Sequence, residues 1–416
     1  MSHVPLQLCL TGREVSDVRV RPGGQWVSAV VSEPGLHGSV NRLCMWSVAH
    51  QDVVVDLCLD PMPATGRGLS GGVHCWDSEG RRVFVATTRQ GIVEVSVHDD
   101  VAVSMRTLSF DINRSWFTPA INFTNSAVFA IADWSEMWRC TLDTDEVECV
   151  YRADGFALDC AAGADGMCLT WSPPEMPWTH SAIYPEPSTA DVAVQQPRFS
   201  THGNSFGYID DSTGYANVRV CADAIVATDV MIDDECEHGG PTWGPGQRTW
   251  CFNSDGTKVA YTRNEKGFGS LWVYDRLTTE RTMVGRGIYG CLSWEKDTLA
   301  GLRSGARTPQ QVVVHNMSPS GHGERTVLVQ PASTEWFSDD LDQELVEPSV
   351  HEAVTGDGVV PYRLYRAKNP NWGVIVWVHG GPIDQWQVTF RPKFSYWLSR
   401  GWSIAVVDHR GTTGYG

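Results

Sequence analysis

Two strings of the sequence have the G-x-S-x-G spacing that can present a serine nucleophile for acyl transfer: residues 68–72, around Ser70, and residues 203–207, around Ser205. Such an elbow holds its serine on a strained turn between a buried strand and a helix. Ser70 instead follows a Pro- and Gly-rich loop and precedes a strand-like run, and Ser205 lies at the turn of a predicted hairpin. Neither serine is therefore expected to act as a nucleophile.

The twelve cysteines are a second set of side chains with possible chemistry. They include no C-x-x-C pair, and no histidine has the spacing typical of a zinc site. Most lie in strand-like apolar runs, where a reduced cysteine packs as a small hydrophobic residue. Residues 1–20 lack the basic start and apolar core of a signal peptide. The sequence therefore predicts reduced thiols, no metal and a cytoplasmic location.

The formal net charge of −17 bears on the class of partner. The 32 Lys and Arg residues form no run, whereas binding to phosphate backbones needs clustered basic side chains. The longest apolar runs are the length of a strand and too short to span a bilayer. Neither a nucleic-acid partner nor a membrane partner is expected.

A repeat of strand, turn and strand organises the first part of the chain. The clearest copy is residues 252–275, where Asp255 and Gly256 form a turn between two alternating strands. Turns of this kind recur about every 37 to 56 residues, a period typical of β-propeller blades. They fall near residues 24, 80, 125, 166, 203, 256 and 296. The spacing predicts a seven-bladed β-propeller over residues 1–335, and a set of unrelated β-sandwiches remains the alternative.

The composition changes after this repeat. Residues 336–349 form an acidic linker without β alternation, and residues 350–365 predict a hairpin. The unbroken apolar run of residues 374–378 is typical of a strand buried on both faces. Pro392 and Gly401 bracket a predicted helix, and residues 403–407 form the next buried strand. Strand, Gly-rich turn, helix and strand is the order of an α/β-hydrolase domain, of which residues 350–416 would be an incomplete part.

Several of these residues carry a family resemblance. His379-Gly-Gly-Pro after the strand, Arg400-Gly-Trp, and Arg410-Gly-Thr-Thr-Gly-Tyr-Gly after the next strand resemble the prolyl oligopeptidase family of serine peptidases. The similarity is greatest to its acylaminoacyl-peptidase and dipeptidyl-peptidase-like branch. Residues 196–200 and 237–244 also resemble blade sequences of that branch. The family places a propeller before its hydrolase domain, so the repeat and the C-terminal unit support each other.

The resemblance implies roles for particular residues. Gly380 and Gly381 match the family's oxyanion-hole turn, where glycine lets a backbone N–H approach the developing alkoxide. His379 precedes the position expected of a triad histidine, so it is expected to orient the loop. Arg410 is expected to form an ion pair. His409 stands where relatives usually carry tyrosine, which puts a stacking or hydroxyl role there in question.

The function that the resemblance implies is hydrolysis of short peptides through an acyl-enzyme, with the propeller gating access and no cofactor. The nucleophilic serine, the aspartate and the base histidine have no counterpart in residues 1–416, so these residues alone are expected to be inactive. Two acidic residues, Glu235 and Glu237, are candidates to contact a substrate amino terminus. A propeller that binds peptides or proteins without catalysis, and an esterase on the same fold, remain alternatives.

Overall fold

The computed structural model describes residues 3–36, 38–64, 71–185, 192–201, 203, 205–221, 230–321, 323–342, 344–381 and 383–415. Strands dominate it, as the sequence predicts. Seven antiparallel sheets follow one another along the chain, and a mixed sheet comes after them. The helices of the described residues are short: α1 (Leu6–Leu10), a 3-10 helix (Thr334–Phe337), α2 (Asp339–Asp342) and α3 (Pro392–Leu398).

Each of the seven antiparallel sheets is a meander in which neighbours in sequence are hydrogen-bonded neighbours. Six have four strands, and sheet 4 has three in the part of the chain that the structure describes. The strands are, in sheet 1, β1 (Glu14–Val20), β2 (Trp26–Gly35), β3 (Gly38–Ser47) and β4 (Val54–Cys58); in sheet 2, β5 (His74–Trp76), β6 (Arg82–Ala86), β7 (Ile92–His98) and β8 (Val101–Thr107); in sheet 3, β9 (Trp116–Ile121), β10 (Ala127–Ala132), β11 (Glu136–Thr141) and β12 (Glu146–Arg152); in sheet 4, β13 (Phe156–Ala162), β14 (Gly166–Trp171) and β15 (Ala182–Tyr184); in sheet 5, β16 (Val194–Phe199), β17 (Phe206–Asp210), β18 (Asn217–Cys221) and β19 (Val230–Met231); in sheet 6, β20 (Trp250–Phe252), β21 (Lys258–Glu265), β22 (Phe268–Asp275) and β23 (Arg281–Arg286); and in sheet 7, β24 (Ile288–Glu295), β25 (Thr298–Gly305), β26 (Thr308–Asn316) and β27 (Glu324–Val329).

Six of the seven turn positions read from the sequence fall between the first and second strands of a sheet, and the seventh, residue 166, is the first residue of the second strand of sheet 4. In sheet 6, Gly256 adopts a φ of +73°, which a residue with a Cβ adopts only with strain. Asp255 accepts a hydrogen bond at 2.9 Å from the amide of Thr257, two residues on, which is the Asx geometry that favours such turns. The repeat is therefore visible in the sequence because its tight turns need these residue types.

Neighbouring sheets share apolar side chains, and the order closes on itself. One cluster joins sheet 1 to sheet 2 through Leu43, Met45, Val83 and Val95. Similar clusters join each later pair of neighbours, and the last joins sheet 7 back to sheet 1, where β1 packs on β24 and β25. Each sheet thus buries both faces against its neighbours, which a single four-stranded sheet cannot do alone.

The C-terminal unit contains the mixed sheet, with strands β28 (Ser349–Thr355), β29 (Gly358–Tyr365), β30 (Gly373–Val378) and β31 (Trp402–Val407) in the order β28-β29-β31-β30. β30 and β31 are parallel, and the predicted helix between them is α3, with Pro392 as its first residue and Gly401 after its end at a φ of +86°.

The prediction that residues 374–378 are buried on both faces is wrong. Val374, Val376 and Val378 are 51%, 63% and 54% exposed. The physical reason is that only one face of β30 is covered: Ile375 and Trp377 face the core around α3, whereas the alternate valines point to the opposite face, on which no described element packs.

The acidic stretch after the seventh sheet is more ordered than a simple linker. Ser333 caps the 3-10 helix by accepting a hydrogen bond from the amide of Glu335, and Trp336 is 2% exposed. Trp336 and Leu341 pack with Val4 and Leu8 of the N-terminal segment in one apolar cluster. The N-terminal residues therefore lie against the C-terminal part of the chain rather than on sheet 1. None of the helices in the described residues is long and apolar enough to cross a membrane.

Candidate functional site

The Gly380–Gly381 turn follows β30 directly, and both residues are exposed. Gly381 has a φ of +142°, a backbone conformation that favours glycine, whereas a Cβ on Gly380 would meet no atom within 4 Å. Neither amide donates a hydrogen bond to another described residue. Backbone donors without a partner among the described residues are one of the requirements of an oxyanion site.

His379 holds the start of this turn. Its Nδ1 donates to the carbonyl of Gly380 at 2.7 Å, and its Nε2 lies 2.7 Å from the hydroxyl of Thr412, so both ring nitrogens are engaged. The ring of His409 stacks on that of His379 with centroids 4.1 Å apart. His379 therefore has the loop-orienting geometry expected of it, and His409 does stack, although the sequence had put that in question.

The loop after β31 is fixed by a buried ion pair. Arg363 and Asp408 are 2% and 3% exposed, and the Arg363 guanidinium donates to Oδ1 of Asp408. Oδ2 of Asp408 accepts from the Tyr415 hydroxyl at 2.8 Å and from the Gln385 amide at 3.3 Å. Arg410 instead donates to the carbonyl of Asp357, so the ion pair in this loop belongs to Arg363.

The turn between β21 and β22 joins the ring to the C-terminal unit. Asn264 donates to Oε1 of Gln385 at 2.7 Å, and the carbonyl of Gly267 accepts from the amide of Val388 at 2.8 Å. Gly267, with a φ of +90°, lies directly against the Arg363 guanidinium, where a Cβ would overlap Nη1. These contacts place the β21–β22 turn of sheet 6 beside β29 and beside the loop between β30 and α3.

A cavity of about 500 Å³ lies at this junction. Its walls are formed by the loops around sheets 4 to 6, by β29 and by the loop after β31. The lining includes Trp178, Gln195, Asp211, Glu237, Pro361, Asp408, His409, Thr412 and Tyr415. Gly380 and Gly381 are not among the lining residues, but His409, which stacks on His379, connects their turn to the cavity.

Two carboxylates give the cavity its chemistry. Glu237 is 8% exposed and accepts hydrogen bonds from the amides of Ala216 at 2.7 Å and Gly414 at 3.3 Å. Burial raises its pKa, partly offset by those two amides. Burial also raises the pKa of Asp211, which accepts from the amide of Ala193 at 2.8 Å. A small cationic group such as an amine would find favourable charge here.

The other acidic residues of this loop behave differently. Glu235 is exposed, so the structure separates the two sequence candidates. Asp234 forms an ion pair with Arg281 at 2.7 Å and a hydrogen bond with Nε2 of His238 at 3.0 Å. Asp234, Cys236 and His238 have the donor atoms of a metal site, yet Arg263 donates to the Cys236 sulfur at 3.2 Å. The guanidinium lies where a cation would have to bind, so the cluster is better described as an ion-pair network.

Sequence reasoning did not find Asp211 or Trp178. Asp211 lies in an Asp-Asp pair at a strand end, a pattern common in solvated turns, and Trp178 lies in a Pro-rich loop. Of the two elbow-like strings, Ser70 lies outside the described residues. Ser205 is 5% exposed at a turn and accepts a hydrogen bond from Arg276 at 2.8 Å, which fits the structural role expected of it.

No protein-family model matches the sequence, and no curated protein matches it. Solved structures do match. A puromycin-hydrolysing peptidase of Mycobacterium tuberculosis superposes with a TM-score of 0.79 at 18% identity, over 97% of this chain and 67% of its own. A Pyrococcus horikoshii acylaminoacyl peptidase gives 0.66 at 14% over 100% and 68%, and a prolyl endopeptidase structure gives 0.68 at 14% over 99% and 63%.

The chain therefore spans about two thirds of the length of these peptidases. At such low identities the likeness is one of fold. The resemblance predicted from His379-Gly-Gly and the Arg410 loop is confirmed at that level: over nearly its whole length, this chain has the fold of the prolyl oligopeptidase family of peptidases.

Proposed function

We propose that residues 3–415 are the propeller and the first part of the hydrolase domain of a serine-type peptidase that cleaves short peptides. The observation that carries this proposal is the acidic cavity between the ring and the loop after β31. The seven sheets with shared clusters support seven blades, and the mixed sheet with α3 supports the beginning of an α/β-hydrolase domain. The fold of the solved peptidases supports the same assignment.

The residues of this chain would bind and position the substrate. Glu237, with Asp211 beside it in the cavity wall, would bind the amino group of a peptide, and the amides of Gly380 and Gly381 would donate to the oxyanion of an acyl-transfer step. The ring would admit only small substrates, because its loops form one wall of the cavity. The serine, base and acidic partner of the triad are proposed to lie outside these 416 residues.

A cytoplasmic location is part of the proposal. Among the described residues there is no disulfide bond, and burial raises the pKa of several thiols, including Cys44 and Cys58, to about 12. Such thiols are poor nucleophiles and stay reduced in the cytoplasm.

Active-site labelling tests the catalytic part of the proposal. A fluorophosphonate probe forms an adduct with an activated serine, which intact-mass measurement detects. We expect no adduct and no peptide-amide hydrolysis with residues 1–416, and an adduct on the protein isolated from its source. Faster turnover of esters than of peptide amides by that protein would favour the esterase alternative. Labelling at Ser70 or Ser205 would contradict the proposal.

A further inference from the structure

Three arginines from different parts of the ring line one cavity. Arg19 lies in β1, Arg198 in β16, and Arg248 just before β20. The cavity has a volume of about 230 Å³, far above the roughly 10–15 Å³ that admits one water. Its walls are formed by the first strands of several sheets, which places it on the axis of the ring, away from the cavity that contains Glu237.

The hydrogen bonds of these arginines leave donors unused by the described residues. Arg198 donates to the carbonyls of Pro197 at 2.8 Å and Gln247 at 2.6 Å, but its Nε has no partner. Nη1 of Arg19 has none either. Arg248 donates through Nε to Leu292 at 3.1 Å, and its terminal amino groups make no bond to a described residue.

The carboxylates of the cavity do not balance this charge. Asp17 is fully buried and holds Arg19 at 2.9 Å, and it also accepts from the amides of Val73 and His74. Asp159 is a second acidic neighbour of Arg198 and Arg248, besides Asp17; its Oδ1 accepts from the amide of Gly246 at 2.5 Å. Two carboxylates therefore face three guanidinium groups.

The electrostatics of the groups agree with an excess of positive charge. Burial, and then the nearby Arg19 and Arg198, lower the pKa of Arg248. Burial also raises the pKa of Asp159 and lowers that of His74, so burial disfavours the charged form of both side chains. The thiols of Cys75 and Cys251 have pKa values raised to about 12 and carry no charge at neutral pH. Buried like charges are stable when a counter-charge lies between them.

We propose that this axial cavity binds a small tetrahedral oxyanion, such as inorganic phosphate, between Arg19, Arg198 and Arg248. Guanidinium groups suit this ligand because their planar donors match its oxygens and because they are weakly hydrated. The bound anion would tie sheets 1, 5 and 6 together across the axis. This inference does not depend on the peptidase proposal, since the axial cavity shares no acidic substrate-binding residue with the cavity at the junction.

Calorimetric titration of the full chain with inorganic phosphate, alongside its thermal unfolding midpoint, tests the proposal. We expect saturable binding and a midpoint that rises with phosphate concentration, because a ligand that binds the folded state stabilises it by mass action. Sodium chloride at the same ionic strength is the control. A midpoint that rises equally in chloride would overturn the proposal, since the effect would then be general screening.

Variants with opposite expected signs locate the site. Arg198→Gln is expected to weaken phosphate binding at least about tenfold, the loss typical of a charge-assisted hydrogen bond. Asp159→Asn removes the competing negative charge while keeping the oxygen that Gly246 bonds, so it is expected to tighten binding several-fold, a gain that misfolding cannot produce. The control Arg13→Gln removes a half-exposed arginine that pairs with Glu33 at 3.7 Å.

Affinities that are unchanged in both Arg198→Gln and Asp159→Asn would refute the site, as would an equal loss in Arg13→Gln. If Arg198→Gln does not fold, the direction of the change in phosphate affinity in Asp159→Asn still tests the proposal.

Discussion

At the scale of single residues, the two carboxylates proposed from the sequence are both glutamates but differ in how deeply they are buried. Glu235 and Glu237 are two positions apart in one loop, but Glu235 faces solvent and Glu237 lines the cavity with both oxygens held by amides. Two fixed amides leave further lone pairs free to accept from a bound amine. The difference makes Glu235 a matched control for Glu237.

The first prediction concerns the amino terminus of a peptide. Glu237→Gln is expected to weaken the binding of trialanine at least about tenfold, because a charge-assisted hydrogen bond is lost. Binding of N-acetyl-trialanine should not change, and Glu235→Gln should change neither. Calorimetric titration measures both ligands. An equal effect of the two variants would show that the cavity is not the site.

The pH dependence of this binding follows from the direction of the pKa shift. Since burial raises the pKa of Glu237, protonation removes its charge at a higher pH than for an ordinary glutamate, whose pKa is about 4.3. The affinity for trialanine should therefore fall as the solution is acidified, and the fall should begin at a higher pH than the titration of an ordinary glutamate would give. A constant affinity down to pH 4 would contradict the role.

At the scale of elements, the segment around α1 is where sequence and structure differ most. Five residues of helix are too few to predict from periodicity, because an isolated turn is marginal and depends on tertiary contacts. α1 exists because Val4 and Leu8 reach the cluster of Trp336, and because Arg400 donates to the carbonyl of Val4 at 3.0 Å. Those partners lie more than 300 residues away in sequence.

Leu8 and Leu10 test this packing. Leu8 is 5% exposed, so Leu8→Ala is expected to cost about 2–5 kcal/mol of unfolding free energy in the C-terminal unit through the cavity it leaves. Leu10 is 71% exposed, so Leu10→Ala should stay within about 0.5 kcal/mol. Chemical denaturation followed by tryptophan fluorescence compares them. Equal costs would mean that α1 does not pack as described.

What the sequence could predict was decided by how local each signal is. The seven turns, α3 and β31 were predictable because turn residues, a proline start and a short apolar run act within a few positions. The exposure of β30, the stacking of His409 and the place of Asp211 depend on which element lies next to them in space. No spacing within the sequence carries that information.

At the scale of the whole molecule, the ring and the C-terminal unit meet at Gly267. Gly267→Ala is expected to lower the denaturation midpoint clearly, since it adds an overlap with Arg363, worth about 1–3 kcal/mol, to the backbone strain at φ +90°. Gly214 has a φ of +91° with nothing within 4 Å, so Gly214→Ala should show the strain alone, about 1–2 kcal/mol. If Gly267→Ala and Gly214→Ala lower the denaturation midpoint equally, Gly267 makes no tight contact with Arg363.

The ring also has one boundary unlike the others. Six neighbouring pairs of sheets are connected by the chain itself. Within the part of the chain that the structure describes, sheets 7 and 1 meet through side chains: the amide of Val20 donates to the Ser293 hydroxyl at 2.9 Å, and the Thr298 hydroxyl donates to the carbonyl of Gly24 at 2.7 Å. No strand in the described residues crosses from one to the other. The ring is therefore closed by the chain at six boundaries and by side chains at the seventh. Any widening of the central channel is concentrated between sheets 7 and 1, while the other six boundaries can stay tight.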